Sequence, residues 1–178
     1  MILCGGKGSR LNHQNKPLVS WKGKPLIEYV ANSLPESTEQ FISANRDLEN
    51  YSRYGTVLTD SITGLESVSP LVGVLAALHQ MANKWLLCTP GDTPMLQKGW
   101  EQPLLDAASS ASIVCAKDAQ HLQPLHLLIH ISEKNHLQSY LSKGNKSAAN
   151  FLSQRKAQTV KFTNTEIFKN FNSAADFA

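Results

Sequence analysis

Apolar residues fall into short runs separated by polar stretches rich in glycine and proline, and the period within each run separates strand from helix. Residues 1–4 read as a short strand, followed by a polar, glycine-containing loop over 5–17. Residues 18–21 read as a second short strand, closed by a turn at Lys22-Gly23-Lys24. Pro25 then opens a helix, where its missing N–H costs nothing, and Leu26, Ile27, Val30 and Leu34 give that helix an apolar stripe. A strand over 40–44, a polar helical stretch from Asp47 and a strand over 56–59 come next. Residues 60–69 form a long polar connection, and connections of that length in a compact domain are usually functional or disordered.

The pattern repeats further along. Residues 70–82 predict an apolar helix carrying Leu71, Val74, Leu75 and Leu78, and 84–88 a strand that ends in Thr89-Pro90-Gly91-Asp92-Thr93-Pro94. A helix over about 98–109 precedes two strands, 112–116 and 124–130, joined through a polar turn. Helices over 132–141 and 147–154, a last strand over 158–162 and a terminal helix capped by Ser173 complete the chain. Strands alternating with helices imply an α/β fold, with a largely parallel sheet covered on both faces. Such sheets bind ligands outside the carboxyl ends of their strands. The loops to watch are therefore 5–16, Asn45-Arg46, 60–69 and 90–94.

Composition narrows the function classes. A chain of 178 residues suits one domain, taken as 1–178, and at this size about 70% of the unfolded chain's surface is buried on folding. The net charge of +3 is too slight for the dense basic stripe of a nucleic-acid binder but suits an anionic small ligand. Cys4, Cys88 and Cys115 lack metal or redox spacing and read as buried thiols of a reducing compartment. No apolar run approaches the roughly 20 residues that span a bilayer, and no secretory leader is recognisable, so the expectation is a cytoplasmic protein without membrane contact. The six histidines have no paired ligand spacing. His126 and His130 alternate within a strand-like run and read as packed or surface residues rather than as part of an acceptor pocket.

The first loop carries the strongest chemistry. In Leu3-Cys4-Gly5-Gly6-Lys7-Gly8-Ser9-Arg10, glycines let backbone N–H groups approach a phosphate. Arg10 can bind phosphate oxygens in parallel pairs, and Lys16 adds a compact charge. A dinucleotide fingerprint fails at Leu11, where its third glycine belongs, and the Gly-Lys-Ser/Thr of a P-loop is missing. An ordinary turn with surface charges remains open on these residues alone. Asp92, between two prolines at a strand end, offers the best hard oxygen ligand for Mg²⁺ in the sequence.

The longer pattern is more specific. Leu-x-Gly-Gly-x-x-x-Arg from Leu3, Lys16-Pro17-Leu18 and Gly23-Lys24-Pro25-Leu26 resemble the nucleotidyltransferases with a glycosyltransferase-A-like Rossmann fold. More narrowly, the chain resembles the molybdenum cofactor guanylyltransferases of the MobA type. That likeness rests on Asn45-Arg46, Asp60-Ser61, Pro70-Leu71-Val72-Gly73-Val74-Leu75 and Pro90-Gly91-Asp92-Thr93-Pro94. Gln123-Pro124-Leu125, the segment 144–152 and Asn170-Phe171-Asn172 extend it in order along nearly the whole chain.

The resemblance implies a Rossmann-like three-layer αβα sandwich and a Mg²⁺-dependent transfer of GMP from GTP to molybdopterin, with release of pyrophosphate. It implies Arg10, Lys16 and Asp92 as the catalytic groups, with Asp92 on the metal. It implies a binding set of Leu3, Cys4, Gly5, Gly6, Lys16, Asn45, Asp60, Asp92, Asn170 and Asn172. Asp60 or its loop would accept the N–H groups of guanine, Glu66 reading as a solvated charge; Asn170 and Asn172 would bind the acceptor or complete the metal's shell. Molybdoenzyme chaperones or other cofactor-synthesis proteins are the implied protein partners. Three departures stand beside these matches: Asn15 where the family has Asp, and His13 and Ser69 near positions where it has glycine. The family's first strand also begins several residues before Leu3. Cytidylyl transfer to the same acceptor, nucleotidyl transfer to a sugar phosphate and a non-catalytic nucleotide-binding accessory role are the alternatives.

Overall fold

The computed structural model describes residues 1–5, 15–36, 38–65 and 69–177. In chain order its strands are β1 (Ile2–Leu3), β2 (Ser20–Trp21), β3 (Lys24–Pro25), β4 (Phe41–Ser43), β5 (Thr56–Leu58), β6 (Trp85–Pro90), β7 (Ile113–Lys117), β8 (Leu122–His130) and β9 (Gln158–Lys161). The helices are α1 (Leu26–Ser33), α2 (Leu48–Ser52), α3 (Pro70–Gln80), α4 (Gln102–Ala107), α5 (Lys134–Ser142) and α6 (Ala148–Gln154). β2 and β3 form a small hairpin whose turn places Lys22 and Gly23 at φ 48° and 84°, the left-handed pair that a tight two-residue turn requires. The other seven strands form one sheet in the order β5-β4-β1-β6-β8-β7-β9. All its neighbours are parallel except β8, which runs against both β6 and β7.

Side-chain alternation explains why the inner strands read as unbroken apolar runs. Leu3, Phe41, Ile113, Cys115, Leu127 and Ile129 face one core with α3, α5 and α6. Ile2, Ile42, Val114, Ala116 and Leu128 face a second core with α1, α2 and α4. Both faces of the sheet are covered, giving the expected three-layer αβα sandwich. Since neither face is open, only the strand ends can hold a ligand.

α3 is the most enclosed helix, with every residue from Leu71 to Leu78 buried. Gly73 permits that seating: a Cβ there would lie 2.2 Å from Ser43 Oγ and 2.7 Å from Ser43 Cβ. Ser69 caps the helix by accepting the Leu71 N–H, and its hydroxyl donates to the Lys146 carbonyl. The serine that departs from the family pattern thus ties the start of α3 to the loop before α6. The three thiols are buried and unpaired, and burial pushes Cys88 and Cys115 up to about 12.

Several boundaries differ from expectation for local reasons. β6 continues to Pro90 because Thr89 and Pro90 pair with Ile2 and Leu3. The helix expected over 98–109 starts later, because Gly99 sits at φ 86° in a preceding turn, and it ends in a 3-10 turn over Ala108–Ser110. The connection 60–69 opens with a 3-10 turn over Asp60–Thr63, stopped by Gly64 at φ 65°. The expected terminal helix is only a 3-10 turn over Ala174–Phe177. Its cap runs the other way: the Ser173 hydroxyl and N–H both donate to Asp176. Among the described residues no helix is long and apolar enough to cross a membrane.

Gly73→Ala should destabilise the protein by about 1–3 kcal/mol, the usual cost of forcing extra volume into a packed contact. Urea denaturation would read this as a lower midpoint with an unchanged slope. A midpoint equal to that of the parent protein would show that α3 does not approach β4 so closely.

Candidate functional site

The site begins with a fork in the sheet. β6 pairs with β8 from Trp85 opposite His130 to Cys88 opposite Leu127. Beyond Cys88 it continues along β1 while β8 diverges. On the other side of β8, Cys115 faces Leu127 but the next residue, Ala116, faces Gln123. Pro124, Leu125 and His126 therefore have no opposite numbers on β7 and bulge out of register. Proline suits that position because it has no N–H to give a ladder, and bulges re-aim side chains beside functional sites. A cleft of about 600 Å³ opens here, at the carboxyl ends of β1 and β6.

Most of the residues singled out in the sequence meet in this cleft. Leu3, Cys4, Gly5, Lys16, Asp92, Asn170 and Asn172 line it, together with Asn15, Arg46 and Pro70. Asn45 and Asp60 are not in its lining. They form a reciprocal pair at the neighbouring strand ends: Asn45 Nδ2 donates to Asp60 Oδ2 at 2.8 Å, and the Asp60 N–H donates to Asn45 Oδ1 at 2.9 Å. Gly6, Arg10, His13 and Glu66 lie outside the described residues.

Lys16 is the convergence point. It opens a 3-10 turn over Lys16–Leu18, and its ammonium donates to both the Asp92 carboxylate and the Asn172 side-chain oxygen. About a fifth of each of the Lys16 and Asp92 side chains is exposed, so water screens this pair less than a surface ion pair. Asn15, just before it, is held on two sides: its Nδ2 donates to Asp47 at 2.8 Å and its Oδ1 accepts from the Tyr51 hydroxyl at 2.9 Å. A carboxylate at position 15 would have no hydrogen to offer Asp47, which accounts for the amide in this chain.

Asp92 is placed by backbone contacts. The Gly91 N–H donates to the Leu3 carbonyl at 2.9 Å. A Cβ at Gly91 would lie 2.8 Å from Cys4 Sγ and 3.2 Å from Pro17, so glycine lets this loop press against the turn that carries Lys16. The Thr93 hydroxyl closes the loop on the Pro90 carbonyl. The Asp92 carbonyl accepts the Phe171 N–H at 3.0 Å, which ties the C-terminal segment to the site.

That segment is fastened by rings. Phe168 packs edge-on against Phe162 and His126, with ring centres 5.0 and 4.7 Å apart, and Phe171 packs against Trp21 at 5.0 Å. Beyond it, Asp176 accepts the N–H groups of Asn172 and Ser173. Donation from the Ser173 N–H and hydroxyl, and then from the Asn172 N–H, holds the Asp176 carboxyl down at about 2. The sequence named Asn170 and Asn172 but not the aromatic anchors, whose scattered spacing has no period.

The chemistry of the cleft is that of an anion and cation site. Lys16 and Arg46 bring positive charge, and Pro70 places the positive end of the α3 dipole at its edge. Among the described residues no three His, Cys, Asp or Glu side chains gather as a metal cluster. Asp92 and Asn172 instead present two hard oxygens that already share one cation, the Lys16 ammonium. That donor set fits Mg²⁺, which takes few protein ligands and fills its shell with phosphate oxygens and water. His126, expected to be a packed or surface histidine, is only 2% exposed yet borders the cleft, and among the described residues its Nε2 has no hydrogen-bond partner. Burial pushes its imidazole down to about 3, so it is neutral.

Comparisons with known proteins bear on the family and the fold. The MobA-like NTP transferase domain family matches residues 1–159. A molybdenum cofactor guanylyltransferase of Yersinia pseudotuberculosis is 35% identical over 99% of this chain and 91% of its own length. One from Yersinia pestis matches to the same extent. Among solved structures, molybdopterin-guanine dinucleotide biosynthesis protein A of Archaeoglobus fulgidus superposes with a TM-score of 0.74 at 19% identity, covering 99% of this chain and 93% of that one. The 2-C-methyl-D-erythritol 4-phosphate cytidylyltransferase of Thermus thermophilus gives 0.72 at 10% identity, with the same coverage. At those identities the two structures establish the shared fold.

The neutral state of His126 has a consequence for acid stability. Its folded value is depressed below the usual 6.5, so its contribution is complete above pH 6.5 and is lost as pH falls towards 3. At pH 4.5 the unfolded chain holds this proton and the folded chain does not, a difference of up to about 3 kcal/mol. His126→Phe keeps a ring among Trp100 and Phe168 without that proton. Urea denaturation at pH 7 and 4.5 should show the parent protein losing more stability than the variant. Parallel losses would mean that His126 is protonated in the fold.

Proposed function

Because the chain belongs to the MobA-like NTP transferase family, we propose that it transfers GMP from GTP to molybdopterin with release of pyrophosphate. The observation that carries this reading is the meeting of Lys16, Asp92 and Asn172 at the mouth of the fork, in a chain 35% identical to guanylyltransferases over nearly its full length. In the reaction a phosphate oxygen of the acceptor attacks the α-phosphorus of GTP in line. The new P–O bond forms as the bond to the departing pyrophosphate breaks, and the electron pair leaves on that oxygen.

Little covalent work falls to the protein; it positions the reactants and stabilises charge. The Lys16 ammonium donates to triphosphate oxygens, with Gly5 beside it and Arg46 and the α3 N-terminus adding positive potential. Arg10, from the same first loop, is assigned as the second phosphate clamp. Asp92 and Asn172 would hold Mg²⁺, which when bound neutralises phosphate oxygens. Asn45 fixes the Asp60 carboxylate through the reciprocal pair, leaving acceptor capacity suited to the N–H groups on the pairing edge of guanine. We place the reaction in the cytoplasm, where three buried free thiols stay reduced. A molybdoenzyme chaperone or another cofactor-synthesis protein would receive the product.

Asp92→Asn and Lys16→Met should each cut pyrophosphate release by on the order of 10³-fold, as expected when a charged clamp on a transferring phosphoryl group is lost. Circular dichroism should show both variants folded. With Mg²⁺ present, GTP at a hundred times its dissociation constant should stabilise the parent protein by about 2.7 kcal/mol. CTP, ATP and UTP should do less at the same concentration. Full Mg²⁺-dependent activity in Asp92→Asn, or no preference for GTP, would overturn the assignment.

A further inference from the structure

We propose that Gln123 is a specificity-determining residue: its side-chain oxygen accepts hydrogen bonds from the N–H edge of the acceptor's heterocyclic ring. The inference rests on the transfer reaction proposed above and assigns the ring to the β8 end of the cleft.

Gln123 stands where the bulge of β8 begins, opposite Ala116. Its backbone is fixed there by the ladder and by the Cys115 thiol, which donates to the Gln123 carbonyl. Its side chain is fixed as well: Nε2 donates to Asp118 Oδ2 at 2.8 Å. Asp118 is mostly buried, and its other oxygen accepts the N–H groups of Gln120 and His121 at 2.8 and 2.6 Å. Those backbone bonds, from His121 first and then Gln120, hold the Asp118 carboxyl below its usual value, so it stays ionised at neutral pH.

An ionised carboxylate only accepts hydrogen bonds. The amide of Gln123 must therefore turn its NH₂ to Asp118, and its oxygen the other way. Gln123 borders the cleft, and among the described residues Oε1 has no protein partner. A neutral carbonyl oxygen has nothing to offer a phosphate, which needs donors; Lys16 and Arg46 supply those elsewhere in the cleft. Next to Gln123, Pro124 and Leu125 add apolar surface. A flat ring lying against apolar side chains and presenting N–H donors along one edge matches that surroundings. A pterin has such an edge, in its amino group and adjacent ring N–H.

The orientation can be reversed without changing the shape. Asp118→Asn puts an NH₂ in place of the carboxylate oxygen and drives the Gln123 amide to flip, so that its NH₂ faces the cleft. Gln123→Met removes the acceptor outright. Each should raise the KM for molybdopterin about tenfold or more, the size of one well-placed hydrogen bond, while the KM for GTP changes less than twofold. The double variant Asp118→Asn with Gln123→Glu restores an acceptor oxygen against the new NH₂, and the KM for molybdopterin should recover. A merely structural role would disturb both substrates together and would not be rescued. Unchanged molybdopterin KM in both single variants overturns the inference. If the parent protein transfers no GMP to molybdopterin, the proposed reaction fails on its own. Quenching of molybdopterin fluorescence on binding then decides the role of Gln123, since equal affinity for parent and Gln123→Met would refute it.

Discussion

A single ammonium joins three distant parts of the chain. Lys16 lies at the end of the first loop, Asp92 follows the central strand β6, and Asn172 lies near the C-terminus, yet one nitrogen donates to both oxygens. A partly buried carboxylate without a counter-charge is costly, so the ammonium stabilises the loop of Asp92 while drawing in the C-terminal segment. The supporting contacts all preserve that meeting. Gly91 lets the two loops touch, Asn15 anchors the turn to Asp47 and Tyr51, and the Asp92 carbonyl takes the Phe171 N–H.

The reason a cleft exists at this point lies in the sheet. A sheet covered on both faces offers only its ends, and a fully paired sheet would offer a narrow one. Here β6 leaves β8 after Cys88, and three residues of β8 leave their register with β7. The strand end widens into a space with β1 and the Lys16 turn on one side and the bulge on the other. The one reversed strand is therefore what gives a largely parallel sheet room for a cleft of about 600 Å³.

Much of this was legible in the residues. The inner strands of the sheet are marked by short apolar runs, and α3 by its apolar stripe, because burial on both sides leaves no polar alternation to confuse the reading, whereas the edge strand β9 alternates half-buried and exposed positions. Asp92 and Lys16 stood out because charge next to glycine and proline at a strand end has few structural uses. What the residue pattern does not carry is the part a side chain plays through its partner. Gln123, seen in sequence only as part of a Pro-bearing strand, is held by Asp118, and Ser69, a departure when read in sequence, is a helix cap and a tie to Lys146. The terminal turn differs from the capped helix that Ser173 predicts because Asp176, three residues on, takes the hydrogens of Ser173. Ring packing along the C-terminal segment has no sequence period at all.

Asn15 shows how a departure from a family pattern can be consistent with the same site. Its position needs a group that donates towards Asp47 and accepts from Tyr51, and an amide does both where a carboxylate could only accept. The side chain at 47 therefore dictates the one at 15. Asp47 also lies at φ 52°, a left-handed conformation that short polar residues tolerate better than most, which narrows what could replace it. The amide at 15 thus preserves the placement of Lys16 rather than weakening it, and the positive charge of the cleft stays with the lysine beside it.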